Sequence, residues 1–385
     1  MREHTLPVHA GAHANPSHAL AVPIYQTSTF RFDSAAHGAE LAQQTAPTQL
    51  YTRWGNPTTH ALECAIAELE GAEAALAFAS GMGAGSAAVL AAVQSGDHVV
   101  AANCLYSGMT DLFENVLARF GVHTTFVDPT DLTALEAAVR AETKLIYVET
   151  PANPTLQITD LAAVAELGRN RRILTMADNT WASPWNTRPI ALGIDAVVHS
   201  ATKYLAGHSD VVAGAVAGSR AFVDRVWTML KVFGACISPH DAFLVHRGIK
   251  TLGVRVERHN ASAMALARAL AADPRVERVY YPGLEDHPGH AVAAEQMRGF
   301  GGMLSFELAG GIDAGKRAVE RLRLVTHAVS LGGTESLAVH AASTTHGTLS
   351  EAARRRAGVS PGLIRVSVGL EDENDLIADF RQALS

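Results

Sequence analysis

Residues 173–203 run ILTMADNTWASPWNTRPIALGIDAVVHSATK, and the two ends of this stretch decide the fold. Ile173 to Ala177 and Ala196 to His199 are nearly continuous apolar runs. Strands read this way when crossover helices cover both faces of a parallel sheet, whereas half-solvated strands alternate. Each run then stops in polar chemistry: Asp178-Asn179-Thr180 after the first, Ser200-Ala201-Thr202-Lys203 after the second. Working outward, Val99 to Ala102, Thr124 to Val127 and Leu145 to Glu149 repeat the pattern. Amphipathic helices, Leu132 to Ala141 and Leu161 to Gly168, lie between them. Residues 53–245 are therefore predicted to form an α/β domain with a mainly parallel sheet.

Beyond it the texture changes. Ala242 to Leu270 reads as one long helical stretch bent near Gly253. Strands follow at Val276 to Tyr281, Met303 to Leu308 and Leu363 to Val368, with a helix at Ala314 to Leu322, so residues 246–385 are expected to form a smaller α+β domain. Residues 1–52 read as an N-terminal arm, extended over Met1 to Tyr25, with no apolar block of secretory-signal type. His4, His9, His13 and His18 are expected to be solvated arm residues rather than metal ligands, because Pro7 and Pro16 interrupt any helix that would align them. Ala74 to Val93 carries no charge over a span-like length. Its Ala and Gly content, with glycines at 81, 83 and 85, favours a buried strand, a turn and a buried helix over a membrane span.

The chain has 385 residues, 48% of them hydrophobic and 18% charged, which excludes disorder and coiled coil and leaves room for two or three packed domains. A net charge of −7 gives no attraction to nucleic acid or an anionic membrane, so small molecules are the expected partners. Cys64, Cys104 and Cys236 are far apart, which favours neither a disulfide framework nor a structural zinc, fits a reducing cytoplasm and leaves no metal expected. Only five of the 31 basic residues are lysines, so a chemically special lysine has few rivals.

Ligands of open α/β sheets sit beyond the carboxyl ends of the strands. Gly81 and Met82 open a helix whose free N–H groups suit a phosphate, although glycine turns at strand ends are also ordinary structure. Asp178 ends an apolar run, where an ionised carboxylate needs a cation or serves as a helix cap. Lys203 ends the next, and a lysine in an apolar setting is a nucleophile of the kind Schiff bases require. Ser200 and Thr202 beside it can hold the same phosphate. An acid for a ring nitrogen, a lysine for an aldehyde and an anion cradle together describe pyridoxal 5′-phosphate (PLP).

Seven motifs, in order, carry a resemblance: Tyr51-Thr-Arg-Trp-Gly-Asn-Pro57, Ser80-Gly-Met82, Glu149-Thr-Pro-Ala-Asn-Pro154, Ala177-Asp-Asn-Thr180, His199-Ser-Ala-Thr-Lys-Tyr204, Ser330-Leu-Gly-Gly333 and Ile364-Arg-Val-Ser-Val-Gly-Leu-Glu-Asp372. Through them the chain resembles the Cys/Met-metabolism, or transsulfuration, family of PLP enzymes over nearly its whole length. That resemblance implies a fold-type I, aspartate aminotransferase-like subunit, usually a homotetramer of two tight dimers. It implies that Lys203 carries the cofactor, Asp178 holds its ring nitrogen, and Gly81, Met82, Ser200 and Thr202 bind its phosphate. Tyr106 would stack on the ring and act as an acid, Asn153 would reach the ring hydroxyl, and Tyr51 and Arg53 would cross into a neighbouring subunit's site. Arg365 would fork the substrate carboxylate, with Ser330 nearby.

Family membership leaves the reaction open. Relatives that handle cystathionine often carry an arginine five residues after the stacking tyrosine and a glutamate before the Tyr-x-Arg motif; here Asp111 and Leu50 stand there. A second substrate carboxylate would face Asp111, so a neutral γ-substituent is favoured. Glu335 is retained as in many γ-lyases and γ-synthases, while Gly108 replaces the cysteine of many methionine γ-lyases. The expected reaction is a PLP-dependent γ-elimination from a methionine- or homocysteine-like amino acid, giving a thiol, ammonia and 2-oxobutanoate. The alternatives are γ-replacement on an O-acylhomoserine and cystathionine cleavage.

Overall fold

The computed structural model describes residues 1–345, 347, 354 and 358–385. Its first sheet is built from β1 (Ala74–Phe78), β2 (His98–Ala102), β3 (His123–Val127), β4 (Thr143–Glu149), β5 (Leu174–Asp178), β6 (Ala196–His199) and β7 (Gly214–Gly218). The order is β1-β7-β6-β5-β4-β2-β3, and only β7 runs against its neighbours. Alternate residues of one strand feed different cores. Leu145 and Tyr147 pack with Val226 and Leu230 of the helix Arg220–Phe233, whereas Ile146 and Val148 pack with Leu161 and Val164 of the helix Leu161–Arg171. Burial on both sides is why these strands read as unbroken apolar runs.

The uncharged stretch from Ala74 splits into β1 and the helix Gly81–Ala92, which is capped by Ser80 Oγ accepting from Gly83 N at 3.0 Å. Among the described residues no helix is long and apolar enough to cross a membrane.

The second sheet runs β10-β11-β12-β9-β8, from β8 (Val276–Tyr280), β9 (Met303–Leu308), β10 (Thr326–His327), β11 (Leu337–His340) and β12 (Leu363–Ser367). Phe306, Ile364 and Val366 meet Leu266 and Leu270 of the helix Leu252–Ala271 and Phe380 of the helix Glu373–Ala383 in one core.

The expected single helix across 242–270 is two helices, Pro239–Ile249 and Leu252–Ala271, and the break falls at Lys250-Thr251 rather than at Gly253. Buried Arg255 holds the break. Its Nη2 donates to Gly248 O at 2.8 Å, its Nε to Thr251 Oγ1 at 3.0 Å and its Nη1 to Tyr204 O at 2.9 Å, tying the turn that carries Lys203 to the same guanidinium.

The first residues are not extended. Leu6–His9 forms a short helix and Ala12–Ala14 a 3₁₀ turn. This segment docks on its own chain, with Lys250 Nζ donating to Val8 O at 3.0 Å, His246 Nε2 bonded to Ala10 O at 3.0 Å and Gly11 N donating to Glu68 Oε1 at 3.3 Å. All four arm histidines are exposed. His4 and His13 pair with Glu257 and Glu68 at 3.4 and 3.0 Å.

β7 passes so close to the start of the helix Gly81–Ala92 that a Cβ on Gly214 would lie 2.0 Å from Ser80 O, against backbone that cannot yield. Gly214→Ala is expected to destabilise the protein by about 1–3 kcal/mol, measured as a lower denaturation midpoint; an unchanged midpoint contradicts the close approach.

Candidate active site

The carboxyl ends of β4, β5 and β6 meet the start of the helix Gly81–Ala92 around a cavity of about 500 Å³. Gly81, Met82, Tyr106, Asn153, Asp178, Ser200, Thr202, Lys203, Ser330 and Arg365 all line it. Tyr51 and Arg53 do not. Tyr51 is exposed, and Arg53 stacks over its ring at 5.3 Å while donating to Lys231 O.

Each lining group is placed by backbone. Asp178 ends β5 and accepts from Thr180 N at 2.9 Å. Thr180 Oγ1 accepts from Ser200 N at 2.8 Å, fastening the end of β6 to that of β5. Lys203 Nζ donates to Ser330 Oγ at 2.7 Å. Burial, helped by the charge of Arg365, pushes the Lys203 amine down to about 8. Arg365 comes from β12 of the second sheet; its Nη1 donates to Asn153 Oδ1 at 3.1 Å and its Nη2 to Ser330 O at 3.3 Å.

The acids here are in a costly environment. Glu149 and Asp178 are register partners at the ends of β4 and β5. Burial raises the pKa of both, and for Glu149 the neighbouring Asp178 adds to the rise. Tyr147, two residues before Glu149, lines the cavity with a buried hydroxyl that has no hydrogen-bond partner among the described residues. Beside them, Glu70 Oε1 takes His199 Nε2 at 2.6 Å and Asn179 Nδ2 at 3.0 Å, all three residues buried.

The sequence assigns no role to Glu149, Tyr147, Glu70 or Arg255; their importance lies in contacts between distant segments. Two residues it weighed for specificity lie elsewhere. Asp111 is exposed, accepts from Asn115 Nδ2 at 2.7 Å and does not line the cavity, and Glu335 is exposed and outside the lining. A second carboxylate in this subunit's cavity would therefore not face Asp111. Gly108 is tight: a Cβ there would lie 2.7 Å from the Tyr106 ring and 2.9 Å from Met82 Sδ.

The family described as Cys/Met metabolism PLP-dependent enzyme matches residues 4–385. The chain belongs to this family. It is 47% identical over 383 residues to an L-methionine gamma-lyase of Fusobacterium nucleatum subsp. polymorphum, covering 99% of this chain and 97% of the relative. It is 45% identical over 381 residues to a cystathionine beta-lyase of Coxiella burnetii, covering 98% and 96%. The crystal structure of cystathionine gamma-lyase from Lactobacillus plantarum complexed with L-serine superposes with a TM-score of 0.93 at 40% identity, covering 100% of this chain and 98% of that one. The fold-type I expectation and the family resemblance are thus borne out.

The residues present fit PLP. Ser80 Oγ caps Gly83, leaving the Gly81 and Met82 amides at the helix start unclaimed, next to Ser200 and Thr202. A Cβ on Gly81 would lie 2.8 Å from Ser200 Cβ, so the cradle admits no side chain there. Burial raises the Asp178 carboxyl above its usual range despite its bond from Thr180 N, and a cation placed against it would offset that cost.

For an acid raised above its usual value in the fold, stability is fullest below the unfolded pKa and is lost as pH rises toward the folded one. In the cofactor-free chain, Asp178→Asn is therefore expected to be at least as stable as the parent at pH 8, with its relative advantage shrinking toward pH 5. Melting temperatures of both chains at the two pH values check this, and a variant advantage that grows on acidification contradicts it.

Proposed function

We propose that this enzyme releases a thiol from a methionine- or homocysteine-like amino acid by γ-elimination, with 2-oxobutanoate and ammonia as the other products. One observation carries the reading. Among the described lining residues the only cations are Lys203 and Arg365, and Met109, Val212, Val329 and Leu331 give the cavity an apolar wall. A thioether suits that wall, whereas the second charged head of cystathionine finds no described cation on it. The 47% identity to a methionine gamma-lyase supports the same assignment.

The bound PLP supplies an electron sink for the pair left when bonds to the substrate Cα break. The chain supplies the rest. Asp178 would hold the ring nitrogen protonated, and Gly81, Met82, Ser200 and Thr202 would hold the phosphate. Arg365 anchors the substrate carboxylate by two parallel hydrogen bonds. Lys203, held by Ser330 and with its pKa depressed to about 8, would serve as the base that moves protons at Cα and Cβ. Tyr106, at the cavity wall with Asn153, lends its ring to the cofactor face and its hydroxyl proton to the departing sulfur.

We infer that the functional unit is at least a dimer. Tyr51 and Arg53 stand clear of their own subunit's cavity, and the nearby helix Arg220–Phe233 ends with Val232 and Phe233 exposed at 67% and 65%. A homotetramer working in the cytoplasm with its three cysteines free is the complete form of this reading.

Lys203→Ala is expected to abolish turnover and to remove the site of borohydride labelling; Tyr106→Phe is expected to lower kcat by about 10²- to 10⁴-fold. Release of 2-oxobutanoate from methionine alone supports elimination, while turnover only of O-acetylhomoserine plus sulfide, or only of cystathionine, overturns it for the replacement or cystathionine readings. Lys203→Ala and Arg53→Ala chains, each inactive, should recover activity when co-assembled, because one hybrid site then holds both residues. No recovery contradicts shared sites.

A further inference from the structure

Asp178, Thr180, Val198 and Ser200 line the cavity, while Asn179 and His199, the residues between them, do not. This is the alternation of strand ends, with one set of side chains facing the cavity and the other turned away from it. On the cavity side the ends of β5 and β6 are joined by Ser200 N donating to Thr180 Oγ1 at 2.8 Å. On the far side they are joined by Glu70, the fully buried last residue of the helix Pro57–Glu70. Its Oε1 alone is bonded to His199 Nε2 at 2.6 Å and to Asn179 Nδ2 at 3.0 Å, and its Oε2 has no hydrogen-bond partner among the described residues. Asn179 Nδ2 also donates to Thr187 O at 2.9 Å.

Resting on the assignment of Asp178 to the cofactor's ring nitrogen and of Ser200 to its phosphate, we propose that Glu70 is a positioning residue for the cofactor: by gripping Asn179 and His199 through one oxygen, it sets where the adjoining Asp178 and Ser200 stand. A single tie between two strand ends is a pivot, and a second tie on the opposite face removes the twist that the first allows. The two residues that carry the cofactor's weight are each one peptide bond from a residue Glu70 holds. The grip needs only an acceptor at Oε1, which Glu70 provides whether or not it is ionised.

That economy supplies the test. Glu70→Gln presents the same acceptor at the same reach, whereas Glu70→Leu presents none. The dissociation constant of PLP and the visible circular dichroism of the loaded proteins are measured well below their melting temperatures. Glu70→Gln is expected to match the parent in both. Glu70→Leu is expected to bind PLP about tenfold more weakly, with altered dichroism.

Parent-like PLP affinity and dichroism in Glu70→Leu overturn the inference, whatever the variant does to the melting temperature, because Glu70 then serves stability alone. Glu70→Gln as impaired as Glu70→Leu also overturns it, since the shared acceptor is then not what matters. Should Glu70→Leu fail to fold, the other end of the tie decides: His199→Gln offers Glu70 a donor and His199→Leu does not, and equal PLP affinity in that pair overturns the inference. Asp178→Ala separates this from the reading beneath it. Undiminished PLP affinity there defeats the assignment of Asp178 and this inference with it, whereas weakened affinity there beside a parent-like Glu70→Leu defeats the inference alone.

Discussion

Glu149 and Asp178 end neighbouring parallel strands, Glu149 buried and Asp178 half-buried at the cavity wall, and much of the site follows from that burial. Taking a single carboxylate out of water costs several kcal/mol unless a cation and hydrogen bonds compensate, and here two lie side by side. The backbone supplies part of the compensation through the amides of Tyr106 and Thr180. Among the described lining residues, Lys203 and Arg365 supply the only fixed positive charges. On the proposed reading, the cofactor's ring nitrogen would bring the positive charge that faces Asp178.

The two sheets meet this requirement by different routes. The first brings acids, hydroxyls and the lysine on consecutive strand ends, where a parallel sheet gathers them without further effort. The second sends Arg365 and the Ser330 segment to the cavity. These groups touch Asn153 and Lys203, so part of the contact between the two sheets passes through the lining of the cavity itself. Arg255 performs a related task at the back of the lysine turn.

Most of this was legible in the chain because it is local. Ala196–His199 and Met303–Leu308 are the expected strands residue for residue, and the others differ by one or two positions at their ends. What escaped depends on distant partners. β7, Gly-Ala-Val-Ala-Gly, has too little side chain to announce itself and is a strand because β1 and β6 flank it. The turn at Lys250-Thr251 needs Arg255 and Tyr204, and the coiled start of the chain needs Glu68, His246 and Lys250. Asp111 and Glu335 sit in readable motifs, yet which residues line the cavity is decided by how loops converge.

Gly108 bears on how such a pocket could change over generations. A cysteine placed there, as in many methionine γ-lyases, would have its first carbon inside the contact distance of both the Tyr106 ring and the Met82 sulfur. A side chain at 108 is therefore coupled to its neighbours, because it needs the Met82 thioether or the half-exposed Tyr106 ring to shift.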